Sequence, residues 1–414
     1  MITTENSPVN YKNPKTGLGV DGVVRISIEG SYGTGSLLYS GYHILTAAHL
    51  FRDQMQAGSN VNSDQITIQF DTASGSTYLS VQQVFIHPDY QSENSNFDLA
   101  LITLSGLAPS DADRYNLYRG DQEGSTVATL VGYGRQGTGL TGDDLAGEGR
   151  VRAQNHLEMT AGELEAARGD TLTWKPDADS ILVADFDQGS SRYDTLGQIT
   201  GNEQLGTGIY EGLIASGDSG GPAFINGQLA GVASYTSSLS HPDTDIDSES
   251  NSSYGELGFW QRVSTSQEWI DRSLREQYDT THLINAATGK PDTEKVTQPV
   301  TEGDDSWVFF LLELNGRSGD DGGSDDGELI TVNYSTRNGS AVAGEDYIAT
   351  AGSITFYAGE EQVWIPVELI DDNIPEPEEV FYLAISNPQG AAFPDNQTEL
   401  IAQRTLLDDD GWLF

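Results

Sequence analysis

Three short segments carry side chains that could act on a substrate together: Thr46-Ala47-Ala48-His49, Asn96-Phe97-Asp98-Leu99-Ala100-Leu101 and Gly217-Asp218-Ser219-Gly220-Gly221-Pro222. Each has an ordinary structural reading: a packed histidine, an aspartate in a turn, and a Gly/Ser/Pro loop. Together they supply the parts of one nucleophilic catalyst. A serine hydroxyl is a poor nucleophile near neutrality and needs an imidazole within hydrogen-bond reach. That imidazole needs a carboxylate to fix its tautomer and stabilise its cation. Glycines flanking Ser219 let backbone N–H groups converge on a developing oxyanion with no Cβ in the way.

Short strands must position these groups. Val23 to Ile28, Ile66 to Phe70, Leu99 to Leu104, Val127 to Val131 and Leu229 to Ser234 are β-branched or aliphatic runs bounded by Gly, Asp or Ser. His49 follows the strand-like Tyr42 to Leu45, and Asp98 opens an apolar strand. Further on, Leu329 to Tyr334, Ser353 to Phe356, Gln362 to Leu369 and Val380 to Ile385 alternate in the same way. No helix–strand alternation is present, so antiparallel β structure is expected throughout. One helix is expected over Ser264 to Gln277, where Trp269, Ile270 and Leu274 fall at helical spacing.

The order His, Asp, Ser, with TAAH, FDLAL and GDSGGP, resembles the chymotrypsin/trypsin-like serine peptidases. The resemblance runs from about Gly17 to Gln277 and includes Gly33 to Leu38, His87-Pro88-Asp89-Tyr90, Gly132-Tyr133-Gly134 and Gly231 to Tyr235. It implies that His49 is the general base, Asp98 its orienter and Ser219 the nucleophile. The N–H groups of Gly217 and Ser219 would form the oxyanion hole. His87 is expected to cap or pack near a strand end.

Departures from the family pattern bear on specificity and activation. The position six residues before the nucleophile is Leu213, so no carboxylate stands there for a Lys or Arg side chain of the substrate. The wall segment is Ser234-Tyr235-Thr236, whose Thr236 narrows the pocket, and Gly258 keeps the opposite wall small. A preference for small or medium apolar P1 residues follows. In the family, the aspartate before the serine commonly pairs with a freed N-terminal amine. Asp218 is present, but no Ile-Val-Gly-Gly start precedes the first strand, and an internal cation such as Arg135 or Arg25 is a candidate for that role. The stretch from Arg135 to Tyr210 is longer than usual, and its Asp185-Phe186-Asp187 is read as a surface hairpin in preference to a cleft lining.

The C-terminal region clusters its carboxylates: Asp371-Asp372, Glu376-Pro377-Glu378-Glu379 and Asp408-Asp409-Asp410. Adjacent carboxylates repel, and their pKa values rise unless a cation sits between them. Oxygen ligands in number suit Ca²⁺. About Pro299 to Asp410 resembles a Calx-β domain, an immunoglobulin-like sandwich. The matching residues are Val300 to Gly303, Val332 to Ser335, Ala343 to Tyr347, Gly352 to Phe356, Gly359-Glu360, Asp371 to Asn373 and Ser386 to Pro388. The resemblance implies metal positions at Glu302, Asp346, Asp371, Asp372, Glu376, Asp408, Asp409 and Asp410, with Ca²⁺ as a structural ion and no cofactor for catalysis.

The expected fold is therefore all-β: a two-barrel chymotrypsin-like peptidase domain followed by an immunoglobulin-like β-sandwich. The expected limits are 1–16 for an N-terminal extension, 17–287 for the peptidase, 288–298 for a linker and 299–414 for the Calx-β domain. Composition supports a division. The chain has 63 acidic and 20 basic residues, a formal charge of −43. The segment from Pro291 onward holds 26 acidic but only 4 basic residues, so less than a third of the chain carries half the charge. Ser318 to Gly327 (SGDDGGSDDG) is too polar to pack and reads as a mobile loop.

That charge repels phosphate backbones and offers no basic cluster to anionic lipid, which excludes nucleic acid as a partner. No run of about 18 apolar residues is present, so membrane insertion is not expected. There is no cysteine, hence no disulfide and no thiol chemistry. Met1 to Tyr11 show no apolar core of a signal peptide, yet the acidic surface suits an extracellular or cell-surface setting. The expectation is a secreted serine endopeptidase acting on proteins or peptides, with possible surface or matrix attachment through the C-terminal domain. The competing reading is a non-catalytic, calcium-dependent adhesion or matrix protein on a peptidase scaffold, against which the three intact motifs argue.

Overall fold

A computed structural model of the chain describes every residue outside 55–60, 170–171, 240–243, 248, 304, 315–328 and 411–414. The Ser318 to Gly327 segment lies outside the described residues. The chain divides into two compact units, Met1–Ile270 and Asp271–Phe414.

The first unit contains a closed antiparallel barrel. Around it run strands Val23–Ile28, Ser31–Leu37, His43–Thr46, Ala100–Leu104, Gly75–Ile86 and Ile66–Thr72, each bonded to the next and the last to the first. Along Ile66–Thr72 the inward positions Ile66, Ile68 and Phe70 are buried while Thr67 is exposed, the two-residue period of a strand with one wet face. Ala100–Leu104 is buried at every position and forms the centre of the packing with Ile26, Ile44 and Phe51.

The second half of this unit is a seven-stranded sheet, curled as a half-barrel. Its order is Val151–Leu157, Thr126–Gly132, Pro222–Ile225, Gln228–Ser237, Leu257–Arg262, Ile181–Asp185 and Met159–Thr160. Its core gathers Trp260, Phe186, Leu182, Leu130 and Leu213. A smaller sheet includes Ile2–Thr3, which pairs with Gly212–Leu213 on one side and Gln136–Thr138 on the other. The first residues are thus built into the unit and do not form a separate extension. The expected helix occupies Gln267–Glu276, after a 3₁₀ turn over Val263–Ser266.

In the second unit, five strands pair in the order Val300–Thr301, Glu399–Leu407, Glu379–Gln389, Ile330–Asn338 and Ala351–Phe356, while Trp307–Glu313 pairs with Gln362–Glu368. Phe310, Tyr347, Phe356, Phe381 and Val367 fill the core they share. The polar stretch expected to be a linker folds instead. Lys290–Pro291 pairs with Ile284–Asn285, and Asp292 caps the short helix Thr293–Thr297 by accepting from the Glu294 N–H at 3.2 Å. Val296 on that helix packs with Leu283 and Phe309. Polarity alone concealed this one apolar anchor.

Candidate active site

His49 lies on the 3₁₀ turn Ala48–Gln54, directly after strand His43–Thr46, and Asp98 lies two residues before Ala100–Leu104, the neighbouring strand. The barrel register therefore brings the two together. His49 Nδ1 is 2.7 Å from Asp98 Oδ2, and the His49 backbone N–H donates to Asp98 Oδ1 at 2.7 Å. Asp98 is fully buried while the imidazole remains partly exposed. Ser234 Oγ donates to Asp98 Oδ2 at 2.5 Å. Binding the carboxylate through Nδ1–H leaves Nε2 with its lone pair free to accept a proton. The approach to Asp98 is strained: Phe97 has φ of +51° and Ser95 of +53°, a conformation L-residues rarely adopt. His87 contributes to holding that turn, its ring stacked on Phe97 with centroids 5.1 Å apart.

Ser219 sits on a turn immediately before strand Pro222–Ile225, partly accessible to solvent. Two hydrogen bonds tie this turn to the first barrel: Thr34 N–H to the Ser219 carbonyl at 2.9 Å, and Thr34 Oγ1 to the Gly217 carbonyl at 2.9 Å. Glycine is required at two of its positions. Gly217 has φ of +92°, and a Cβ there would come within 2.4 Å of the Tyr32 ring; at Gly220, φ is +83° and a Cβ would meet Thr46 Oγ1 at 2.0 Å. The N–H groups of Asp218, Gly220 and Gly221 are committed to the carbonyls of Ala215, Ala233 and Asp218. Among the described residues, the N–H groups of Gly217 and Ser219 have no partner in the protein.

Asp218 is buried beneath the turn. Its Oδ1 accepts from Gly134 N–H at 2.8 Å and its Oδ2 from Ala215 N–H at 2.9 Å, and it forms an ion pair with the α-amino group of Met1. That amine also donates to the Arg135 carbonyl at 2.5 Å. The internal cations considered from sequence do not take this place. The Arg135 guanidinium turns to Asp143, with Nε 3.3 Å from Oδ2, and Arg25 lies over the Tyr32 ring.

A cavity of about 210 Å³ opens beside Ser219, lined by Ile214, Ala215, Ser216, Ser234, Tyr235 and Thr236, with Asp143 and Ser250–Ser252 at its edge. Leu213 and Gly258 lie behind this lining, both buried. A Cβ on Gly258 would stand 2.5 Å from the Trp260 ring and 2.8 Å from Leu213 Cδ1, so core packing itself requires glycine there. Asp143 is a carboxylate at the cavity that sequence reasoning missed. It lies in the long insertion, and its engagement by Arg135 depends on a hairpin that no motif announces.

Asp185 and Asp187 are not on a surface hairpin. Both are buried, as are Asp194 and Glu211, and strand Ile181–Asp185 is an inner strand of its sheet, buried at every position. Burial pushes Asp187 up to about 7 and Glu158 up to about 8, with neighbouring carboxylates adding to both.

In the second unit, oxygens of Asp346, Glu376 and Glu379 lie within 4.8 Å of one another, as do those of Asp408, Asp409 and Asp410. Glu302 is pushed up to about 7 by burial and by Asp346, Glu376, Asp408 and Asp372. Asp371 and Asp372 both oppose ionisation of Asp410. All eight expected positions are thus brought to one end of the unit. Glu379, absent from the expected set, joins them, likewise pushed up to about 7 by burial and by Asp346. Its signal was the Glu378-Glu379 pair at the head of a strand, where alternation turns one of the two inward.

Comparison with known proteins agrees with this architecture. Residues 13–270 match the Trypsin family and residues 320–410 the Calx-beta domain. The chain is similar to a trypsin of Saccharopolyspora erythraea, 26% identical over 225 residues that cover 53% of this chain and 82% of that protein. It is likewise similar to an uncharacterized peptidase of Corynebacterium glutamicum, 26% identical over 60% of this chain and 66% of the relative. The C-terminal region is 34% identical to the sodium/calcium exchanger 2 of Rattus norvegicus over 101 residues, which is 21% of this chain but only 11% of the exchanger. The chain belongs to the trypsin family, its peptidase-family domain being followed by a Calx-beta domain.

Proposed function

We propose that the protein is a secreted serine endopeptidase. The observation that carries the reading is the buried Asp98 carboxylate, which receives three hydrogen bonds and orients His49, while the glycine turn that bears Ser219 packs against Ala47, two residues before that histidine. Ser219 attacks the substrate carbonyl while His49 Nε2 takes the hydroxyl proton. The tetrahedral oxyanion accepts from the Gly217 and Ser219 N–H groups. His49 then returns the proton to the leaving amine, and water hydrolyses the acyl-enzyme by the same route. Ser234 donates to Asp98 and so steadies the charge that forms on the imidazole pair. Small or medium apolar P1 side chains fit the cavity, whose one carboxylate, Asp143, is already opposed by Arg135. Rapid cleavage after Arg, with none after Ala, Val or Leu, would overturn that preference.

At the end of the second unit, Glu302, Asp346, Glu376 and Glu379 fit a hard cation: oxygens of the last three converge, and burial together with neighbouring carboxylates, Asp346 foremost, raises the pKa values of Glu302, Glu376 and Glu379. With Asp371, Asp372 and Asp408–Asp410 they would hold Ca²⁺, which supplies the positive charge that these loops otherwise lack. Surface or matrix attachment through this domain suits an extracellular protein.

A fluorophosphonate probe tests the central claim. It should label the intact chain at Ser219, and labelling should disappear in Ser219→Ala and fall steeply in His49→Ala. A folded wild-type chain that refuses the probe and cleaves no peptide would leave the adhesion reading in its place.

A further inference from the structure

Five carboxylates are packed together in the trypsin unit, away from the serine turn. Glu158 follows strand Val151–Leu157; Asp185 ends Ile181–Asp185 and Asp187 follows it; Asp194 precedes the short helix Thr195–Thr200; Glu211 precedes Gly212–Leu213. All but Glu158 are at most 2% exposed. Oxygens of Glu158, Asp185 and Asp194 lie within 4.8 Å of one another. Oxygens on a shared calcium ion, each about 2.3–2.6 Å from it, fall in this range. Asp187 stands beside them, near enough that its charge opposes ionisation of both Glu158 and Asp185.

Backbone amides satisfy much of the cluster but not all of it. Leu196 N–H donates to Asp185 Oδ2 at 2.7 Å, Gly197 N–H to Asp194 Oδ1 at 2.6 Å, and Gly189 N–H to Asp187 Oδ1 at 2.8 Å. Glu211 receives the N–H groups of Asp187, Gln188 and Thr207. Asp187 Oδ2, in contrast, is fully buried and meets no donor. A buried carboxylate oxygen without a donor loses its hydration with nothing to replace it. Here it faces further carboxylates, Glu211 among them within side-chain hydrogen-bonding reach, so a cation or a shared proton is what completes it.

We propose that the trypsin unit holds a calcium ion among the carboxylates of Glu158, Asp185, Asp187 and Asp194. The donors are hard oxygens with no imidazole or thiolate among them, which favours calcium over zinc. The ion would join the end of one strand, Glu158 and the turn into Thr195–Thr200, tying down the long insertion. This site is separate from the carboxylates of the C-terminal domain and does not depend on the peptidase reading.

Titration of the full chain with calcium, followed by calorimetry, tests the proposal. Four chains are compared at pH 8: wild type, Asp187→Asn, Glu158→Gln, and a Glu302→Gln/Glu379→Gln double variant that weakens the other site. Asp187→Asn should bind one calcium ion fewer than wild type, or bind it at least about 10-fold more weakly, and Glu158→Gln should repeat this. The double variant should retain the ion. Circular dichroism in EGTA establishes that each variant is folded, and the isosteric Asn replaces a charge the apo cluster repels. Unchanged stoichiometry and affinity in both Asp187→Asn and Glu158→Gln would overturn the proposal. Protons would then be what neutralises the cluster.

Discussion

Carboxylates meet opposite surroundings at the serine turn and at the acidic end of the C-terminal domain. Asp98 and Asp218 are wholly buried, yet hydrogen-bond donors surround each: His49 twice and Ser234 for Asp98, two amides and the Met1 amine for Asp218. Glu302, Asp346, Glu376 and Glu379 are less deeply buried but have other carboxylates as neighbours. Burial alone therefore does not decide what a carboxylate needs. Donors supplied by the fold complete the first pair, whereas like charges face one another in the second group. The Asp185–Asp187 cluster follows the second pattern within the domain that otherwise shows the first.

The largest expected effect tests the completeness of Asp98. Asp98→Asn preserves shape but presents an N–H₂ or a neutral oxygen to His49, favouring the wrong imidazole tautomer. The rate constant for ester hydrolysis should fall about 10⁴-fold, as for the equivalent change in this catalytic arrangement. A loss below tenfold would show that the carboxylate merely packs. Asp218→Asn is the matching change beneath the turn. It leaves the Met1 amine buried against a neutral partner, so the Gly217–Ser219 amides lose their support. A fall in kcat/KM of about 10²–10³, the worth of one oxyanion donor, is expected. An unchanged rate would detach the ion pair from catalysis.

The C-terminal group should respond in the other direction, to an ion and not to a missing donor. Calcium at 100 times its dissociation constant should add about 2.7 kcal/mol to the stability of that domain. Glu379→Gln should remove most of this gain while leaving stability in EGTA equal or higher, since one repelling charge has gone. Thermal unfolding with and without calcium distinguishes these outcomes. A variant that loses stability in EGTA would place Glu379 among the donor-satisfied carboxylates instead.

How far the sequence disclosed these environments depended on how far apart the partners lie. TAAH, FDLAL and GDSGGP stand on strand ends and turns whose geometry is local, so the positions of His49, Asp98 and Ser219 were legible. Ser234 was read only as a pocket wall, because its bond to Asp98 spans 136 positions. The Met1–Asp218 pair links residues from opposite ends of the first unit, and no spacing rule connects them. Asp185 and Asp187 misled because a charged pair usually marks solvent; the five buried residues of Ile181–Asp185 were the better guide. Four strands of the tail were legible from alternation, but their pairing was not, and neither Trp307–Glu313 nor Glu399–Leu407 was singled out, while Val296 was a single apolar side chain in a polar stretch.

A buried histidine offers the smallest and most directional test, because its titration opposes that of the carboxylate groups. His43, on the strand leading to His49, is 1% exposed, and burial pushes its pKa down to about 3, with Ser40 Oγ 2.9 Å from Nδ1. In the unfolded chain the ring titrates near its ordinary 6.5. Below that pH the unfolded state binds a proton that the folded state refuses. Stability from the neutral ring is therefore complete above about pH 6.5 and is lost as pH falls toward 3, at about 1.4 kcal/mol per pH unit. Glu302 behaves inversely: its raised value favours the folded state at low pH and costs stability as pH rises through 7. His43→Asn keeps a polar atom near the Nδ1 position and removes only the histidine titration. The variant should be less stable than wild type at pH 7 because of the space it opens. Its disadvantage should shrink by about 2 kcal/mol by pH 5, as hydrogen exchange of the His43–Thr46 strand would report. Glu302 and His87 are common to both chains and cancel in the difference, so parallel pH profiles would mean that His43 already carries its proton in the folded barrel.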